Sequence, residues 1–169
     1  DLLDHPMVSA TCTMKGVQMC FTTAYRAWML SRIDLDPGPM QIVYPDYKSV
    51  TEQVADRIKP AIKNTPVLAQ YLTDRLQDVS KEHIKLRHMD IHVGGSGSEQ
   101  SISSRAIRDL LKDERDNWQD GGTGDVSMIA DQRTSTFEGI SKIVDFSTPT
   151  LSTRGIALSL KDCGLVFWW

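Results

Sequence analysis

The chain has 169 residues, 40% of them hydrophobic and 24% charged, which suits one globular α/β domain and excludes a disordered or fibrous chain. The 19 Lys and Arg residues against 22 Asp and Glu residues give a net charge of −3. This charge does not fit a domain whose whole surface is basic and binds DNA. Cys12, Cys20 and Cys163 form no CxxC pair, so we expect a reducing compartment rather than a zinc or disulfide framework.

The alternation of short apolar runs with amphipathic stretches predicts an α/β fold. No apolar run reaches the roughly 18 residues of a membrane span, so we expect no membrane partner. The predicted elements of the first half, in chain order, are a strand at Val8–Thr13, a helix with the buried face Phe21, Ala24, Tyr25, Trp28 and Met29, a strand at Met40–Tyr44, a helix at Lys48–Ile58 that ends or kinks at Pro60, and a short helix from Asn64 to about Leu76.

The second half continues the same pattern. Its predicted elements are a hairpin on the sheet edge (Ile84–Leu86 and Asp90–Val93), a Gly/Ser-rich loop (Gly94–Ser104), a strand (Ile107–Leu111), a flexible segment (Gly121–Gly124), a helix capped by Asp125 and running to about Thr136, a strand (Lys142–Phe146), a helix (Arg154–Leu160) and a final strand (Leu165–Trp169). The chain begins with Asp and ends in an apolar run, so we expect it to be a fragment that lacks upstream residues.

Three polar segments follow predicted strands: Lys15–Thr23, Asp113–Asp116 and Ser147–Thr150. In open α/β sheets, ligands bind outside the carboxyl ends of the strands. We therefore expect the three segments to meet in one site.

Lys15–Thr23 (KGVQMCFTT) has the length of a GxxxxGK[ST] phosphate loop, in which helix N–H groups hold phosphates and a hydroxyl ligates Mg²⁺. Alone, an ordinary strand-to-helix turn carrying a solvated lysine is the plainer interpretation of this stretch. In Asp113–Glu114, the Asp can hold Mg²⁺ and the Glu can activate water, although a solvated charge run is the plainer interpretation. Ser147–Thr150 can sense a γ-phosphate or be a hydroxyl-rich turn.

The remaining candidates for chemistry are weaker. His83, His88 and His92 are interpreted as solvated or hairpin-face histidines in preference to a metal site. No Ser/His/Asp or Cys/His arrangement is persuasive. The tryptophans at 28, 118, 168 and 169 are interpreted as core or interface residues rather than a base-stacking platform.

The three weak motifs, taken in this order, resemble the ATPase domain of the phage-lambda type large terminase subunit. The resemblance extends from about Met7 to Trp169. It rests on the stretches Met14–Thr22, in which a lysine opens the phosphate loop, Asp36–Met40 with Ile42–Pro45, Arg57–Ile62 with Thr65–Leu68, Ser104–Arg108 leading into Asp113–Asp116, Gly124–Asp125 with Arg133, Thr134 and Phe137, and Ser147–Thr150. Two positions depart from the family pattern: Cys20 replaces a glycine, and Lys112 replaces an apolar residue.

The resemblance implies a RecA-like P-loop NTPase fold, with a mostly parallel central sheet flanked by helices and an antiparallel edge hairpin. Residues 1–169 would then be one ATPase domain without the family's C-terminal nuclease domain. The implied activity is hydrolysis of ATP with Mg²⁺ to package double-stranded DNA into a capsid. The implied partners are the small terminase subunit, the portal and procapsid, and further copies in a ring, in the cytoplasm of an infected bacterial host.

The resemblance also assigns roles to residues. Lys15 would contact the β- and γ-phosphates, and Gly16, Gln18, Cys20, Phe21, Thr22 and Thr23 would complete the nucleotide site. Thr22 and Asp113 would ligate Mg²⁺, and Glu114 would activate water. Ser147, Thr148 and Thr150 would couple hydrolysis to movement, and Arg105 and Arg133 are candidate sensors or arginine fingers. The alternatives are a helicase-like P-loop ATPase and a non-catalytic assembly module that retains the fold.

Overall fold

The computed structural model describes residues 3–16, 20–73, 80, 82–98, 100, 102, 105–118, 125–150 and 156, and the backbone of 166–168. The strands are β1 (Ala10–Met14), β2 (Met40–Tyr44), β3 (His83–Lys85), β4 (Asp90–Gly95), β5 (Asp109–Asp113), β6 (Lys142–Ser147) and β7 (Val166–Trp168). Within this part of the chain they form one sheet in the order β3-β4-β2-β5-β6-β1-β7. Only the β3–β4 edge pair is antiparallel among the described pairs, which confirms the predicted mostly parallel sheet with an edge hairpin.

Helices connect the strands and cover both faces of the sheet. They are α1 (Phe21–Leu35), α2 (Tyr47–Gln53), α3 (Lys59–Asn64), α4 (Pro66–Ala69) and α5 (Val126–Gln132). Asp125 caps α5 by accepting a hydrogen bond from the Ser127 backbone N–H at 2.8 Å, as its sequence position predicts. A 3-10 turn at Arg115–Asn117 follows β5 and becomes important at the functional site.

The structure decides one helix prediction and corrects another. The chain continues as helix through Pro60, because a π-helical turn at Val54–Ile58 leads directly into α3, so of the two predicted outcomes, an end or a kink, the end is wrong. The helix predicted to reach Leu76 ends at Ala69, and Leu72 instead pairs with Leu86 beside the edge hairpin. The predicted flexible segment 121–124 and most of the predicted helix 154–160 lie outside the described residues, although Ile156 is helical.

Several strand boundaries also differ from the predictions, chiefly those of β1, β5 and β4. β1 and β5 each begin two residues later than predicted, and for β5 the reason is that the Arg108 N–H bonds to the Pro39 carbonyl before the ladder begins. β4 runs on through Gly95, so the predicted loop starts later. A Cβ at Gly95 would lie 3.1 Å from the backbone of Asp46, which explains a glycine within a strand.

The core lies on both faces of the sheet, as expected for parallel strands. Ile42, Leu111 and Val144 face α1 and α2, and Trp28 belongs to the same cluster. Their neighbours Val43 and Leu110 face the opposite way, toward α5. The alternation leaves strand ends as the place for polar groups. None of the described helices has the length and apolar character needed to cross a membrane.

A buried ion network closes the amino end of β5. Asp109 is 0% exposed and receives the Arg32 guanidinium at 3.1 Å and the Arg108 guanidinium at 2.7 Å. Asp36 bridges the same two arginines at 2.8 and 2.9 Å. The network therefore joins α1, the turn before β2 and β5 at the end of the sheet opposite to the polar segments.

Asp109→Ala tests how strongly this network holds the fold. Removing the carboxylate leaves two buried guanidinium groups without their central partner, so the free energy of unfolding should fall by about 3–5 kcal/mol in urea titrations. Asp56→Ala, at an exposed helical position, is the matched control and should change stability by less than about 0.5 kcal/mol. Equal effects of the two substitutions would contradict this view of the network.

Candidate functional site

Three neighbouring parallel strands bring the predicted polar segments together. In the order β5-β6-β1, Asp113 is paired with Phe146, and Met14 is paired with Ser147. The residue after β1, Lys15, donates its backbone N–H to the Ser147 carbonyl at 3.0 Å. We call Lys15, Asp113, Glu114, Asp116 and Ser147–Thr150 the strand-end cluster.

Lys15 and Glu114 make direct contact in this cluster. The Lys15 ammonium is buried and pairs with Oε1 of Glu114. The Thr148 backbone N–H donates to Oε2 of the same carboxylate at 3.3 Å. Lys15 also lies 5.9 Å from the centroid of the Phe146 ring, a geometry that favours a cation. A lysine, a carboxylate and the turn after β6 are thus held at one point.

Glu114 has a left-handed backbone with φ 49°. That conformation costs a non-glycine residue on the order of 1 kcal/mol, and such strain is concentrated at functional sites. It ends β5 abruptly and starts the 3-10 turn at Arg115–Asn117. The pairing with Lys15 and Thr148 is made by a residue whose backbone is itself strained.

Asp113 carries the most perturbed carboxyl group of the cluster. It is 5% exposed, and its Oδ1 has no hydrogen-bond partner among the described residues. Burial raises the pKa of this carboxyl to about 6, and the Lys15 ammonium opposes the rise. A buried carboxylate oxygen with spare lone pairs is a natural ligand for a hard cation such as Mg²⁺.

The helix α1 places the positive charge of Arg26 near the same carboxylate. α1 begins at Phe21, and Thr22 is half-buried in its first turn. Arg26, one helical turn beyond Thr22 and on the same face, lowers the pKa of Asp113 through its charge. Tyr25 fixes the helix against the sheet, because its ring stacks on Phe146 at 4.5 Å. The N-terminus of a helix presents backbone N–H groups that suit an anion.

Cys20 precedes this helix with a left-handed backbone, φ 59°. A glycine would adopt this conformation at a lower free-energy cost, so replacing the family's glycine with Cys20 strains the backbone. The Cys20 carbonyl still accepts the N–H groups of Thr23 and Ala24 at 3.0 Å, so the first turn is closed. Gly16 is half-buried next to Lys15, and the predicted binding residue Gln18 lies outside the described residues.

Lys112, the second residue that departs from the family pattern, forms its ion pairs and hydrogen bond away from the strand-end cluster. Its ammonium is 2.8 Å from Asp131, 2.9 Å from the Ser127 hydroxyl and 3.5 Å from Asp145. These partners belong to α5 and β6 on the sheet face opposite to Leu111. The lysine therefore serves as a buried cross-link between α5 and the sheet.

Neither candidate arginine contacts the strand-end cluster in the part of the chain that is described. Arg105 is exposed and lies against His92 of β4, with its Nη1 2.8 and 2.9 Å from the two ring nitrogens. Arg133 follows α5, and its carbonyl accepts the Ile107 N–H before the amino end of β5. β2, β5 and β6 separate β4 from β1.

The edge hairpin carries two of the histidines. The rings of His83 and His92 stack at 4.5 Å, and donor atoms of His83, Asp90 and His92 lie within 4.8 Å of one another. Burial, together with the nearby Arg105 charge, lowers the pKa of His92 to about 4. The guanidinium against His92 opposes a cation there. His88 lies apart from this group, with its Nε2 2.7 Å from the Ile33 carbonyl.

Sequence reasoning missed two contributors to the site. The sequence places Asp116 in the polar segment Asp113–Asp116 but assigns it no role of its own, yet it accepts hydrogen bonds from Thr150 and Ile156 and donates its N–H to Ser147 Oγ. The sequence carries no local signal for those partners. Arg26 could have been found, since it lies four residues after Thr22 and so shares its helix face.

Comparisons with known proteins are consistent with this geometry. Residues 1–164 match the family model described as phage terminase large subunit gpA, ATPase domain. The large terminase ATPase domain of Thermus phage P74-26 superposes with a TM-score of 0.65 at 13% identity, covering 88% of this chain and 62% of that one. An arginine-to-alanine mutant of that domain gives a TM-score of 0.63 at 13% identity, covering 85% and 61%. No curated protein has a significantly similar sequence.

Asp113→Asn tests the electrostatics of the cluster. A raised pKa means that the folded chain prefers the protonated carboxyl, so stability is lost as the pH rises from about 4 through about 6. The amide cannot ionise, so the variant should be about 1–3 kcal/mol more stable than the unmodified chain at pH 8 and no more stable at pH 4, in urea unfolding.

Asp56→Asn makes the same chemical change at an exposed helical position and should leave stability unaltered at both pH values. A gain for Asp113→Asn that is equal at pH 4 and pH 8 would show that burial of the charge is not its cause.

Proposed function

We propose that this chain, which belongs to the family of the phage terminase large subunit gpA ATPase domain, hydrolyses ATP with Mg²⁺ to drive double-stranded DNA into a capsid. The observation that carries the proposal is the contact between Lys15 and Glu114 beside the buried carboxyl of Asp113. A lysine and two acids at adjoining strand ends are the groups that phosphoryl transfer to water requires.

Each residue of the cluster has a distinct part in this proposal. Lys15 binds the β- and γ-phosphates, and the first turn of α1, from Phe21 to Thr23, offers its backbone N–H groups. Asp113 Oδ1 and the Thr22 hydroxyl are the oxygen donors that would hold Mg²⁺. The chemistry that bound Mg²⁺ supplies is neutralisation of phosphate charge.

Glu114 is the proposed general base. Its carboxylate takes a proton from the attacking water, whose oxygen bonds to the γ-phosphorus while the bond to the ADP oxygen breaks, giving ADP and phosphate. In the structure this carboxylate is held by Lys15 and Thr148. Phosphates compete for the Lys15 ammonium, so nucleotide binding frees Glu114 for the water.

Ser147, Thr148 and Thr150 are the proposed coupling residues. Ser147 is 0% exposed and its carbonyl accepts the Lys15 N–H, while Thr148 contacts Glu114. The turn after β6 thus touches both the phosphate-binding lysine and the proposed base. A change at the γ-phosphate would reach the turn through either contact.

The wider role rests on the family alone. We infer that the partners are the small terminase subunit, the portal and procapsid, and other copies of the subunit in a ring, in the cytoplasm of an infected bacterial host. The chain spans 62% of the length of the P74-26 ATPase domain structure, and the net charge of −3 favours a local DNA contact over a general one.

Lys15→Ala and Glu114→Gln test the assignment of the site. Glu114→Gln should bind a non-hydrolysable ATP analogue with Mg²⁺ normally in calorimetry, while phosphate release falls about 100-fold or more because the base is lost. Lys15→Ala should weaken binding of the analogue by about tenfold or more, since a buried cation is removed from the phosphates.

Asp56→Asn serves as the control and should retain binding and hydrolysis. Hydrolysis at the unmodified rate in both site variants would refute the assignment. Absence of analogue binding by the unmodified chain would favour an assembly module instead.

Arg105 contacts His92 of β4 and no residue of the strand-end cluster among the described residues, so we propose that it acts on the nucleotide of a neighbouring copy. Arg105→Ala should bind the ATP analogue normally but lose hydrolysis by about 1,000-fold in the assembled motor. Mixing Arg105→Ala with Glu114→Gln subunits should restore part of the activity, because some interfaces then combine an intact base with an intact arginine. No recovery on mixing would argue against action between subunits.

A further inference from the structure

Asp116 forms hydrogen bonds with Ser147 at the end of β6 and with Thr150 and Ile156 after it. Its Oδ2 accepts the Thr150 backbone N–H at 2.7 Å and the Thr150 hydroxyl at 3.1 Å. Its Oδ1 accepts the Ile156 N–H at 2.7 Å, and its own N–H donates to Ser147 Oγ at 3.0 Å. One half-buried side chain therefore spans the turn after β6 and the helical position at 156.

We propose that Asp116 is a positioning residue that transmits movement of Glu114 to Ser147, Thr150 and Ile156; this rests on the proposed function. In this proposal Asp116 contacts neither the nucleotide nor the attacking water. It sets where Thr150 and Ile156 lie relative to the proposed base.

The two carboxylates at either side of Glu114 have different environments. Asp113 is buried with an oxygen that has no hydrogen-bond partner among the described residues. Both carboxylate oxygens of Asp116 already accept hydrogen bonds from backbone N–H groups, and these bonds are short and charge-assisted. Asp113 is thus suited to hold a cation, whereas the lone pairs of Asp116 are directed at its own chain.

Glu114 and Asp116 move together because they belong to one tight turn. Glu114 caps the 3-10 turn at Arg115–Asn117, and Arg115 is fixed to Asp145 of β6 at 3.0 Å. Glu114 also holds the Thr148 N–H. When Lys15 leaves Glu114, the change in Glu114 is carried by the backbone to Asp116 and from there to Thr150 and Ile156.

Hydrogen–deuterium exchange of the chain tests this transmission, with a non-hydrolysable ATP analogue and Mg²⁺ as the probe. In the unmodified chain, the analogue should change exchange in peptides containing Lys15 and in peptides containing Thr150 and Ile156. In Asp116→Ala, the analogue should still bind and alter the Lys15 peptides, while the Thr150 and Ile156 peptides no longer respond.

Steady-state kinetics give a second reading. Asp116→Ala should lower kcat by about tenfold with KM nearly unchanged, because the loss falls on a step after binding. Asp56→Ala, at an exposed helical position, should leave the exchange response and kcat unaltered. Thr150→Val removes only the hydroxyl donor and should partly reduce the exchange response of the Thr150 and Ile156 peptides. This second variant tests the proposal if Asp116→Ala does not fold.

The outcomes separate the two proposals. If Asp116→Ala, or Thr150→Val where the first variant does not fold, transmits the full exchange response, the role of Asp116 is overturned and the ATPase proposal stands. If the unmodified chain does not bind the analogue, the ATPase proposal fails and this inference fails with it.

Discussion

The parallel pairing of β5, β6 and β1 is the constraint on which the rest of the structure depends. Both faces of these strands are covered by apolar side chains, so their charged groups must be paired within the layers or gathered at strand ends. Because the three strands run in the same direction, Lys15 and Glu114 meet although 99 residues separate them in the sequence. The parallel strand order, more than any local sequence motif, is what brings these residues together.

The two ends of the sheet are electrostatically different. At the amino end, Asp109 is matched by Arg32 and Arg108, and its buried charge is compensated. At the carboxyl end, Asp113 retains an oxygen without a hydrogen-bond partner in the described structure, and its pKa is raised. A buried group left in this condition costs stability, and such groups are concentrated where a ligand completes them. The contrast supports the proposed site at the carboxyl end on grounds that do not depend on sequence similarity.

Periodicity predicted the sheet and its edge hairpin because those features depend on residues close together in the chain, and the rule that ligands bind at strand ends predicted the meeting of the three polar segments. The left-handed backbones of Cys20 and Glu114 could not be predicted, since neither residue type favours them. The partners of Asp116 lie 34 and 40 residues away, and only the folded chain brings them together. Local patterns therefore predicted which segments meet, while tertiary contacts distinguish the surroundings of Asp113, Glu114 and Asp116.

Lys112 departs from the family pattern at the residue before Asp113, and its side chain lies away from the strand-end cluster. Alternation along β5 sends Leu111 and Lys112 to opposite faces, so the lysine reaches Asp131 and Asp145 instead of the strand-end cluster. Its charge is compensated there. Lys15, which follows β1, and Arg26 of α1 are the cations whose charges oppose the rise in the pKa of Asp113 that burial causes. The positive charge at the cluster thus comes from the end of β1 and from α1, while β5 supplies the acids.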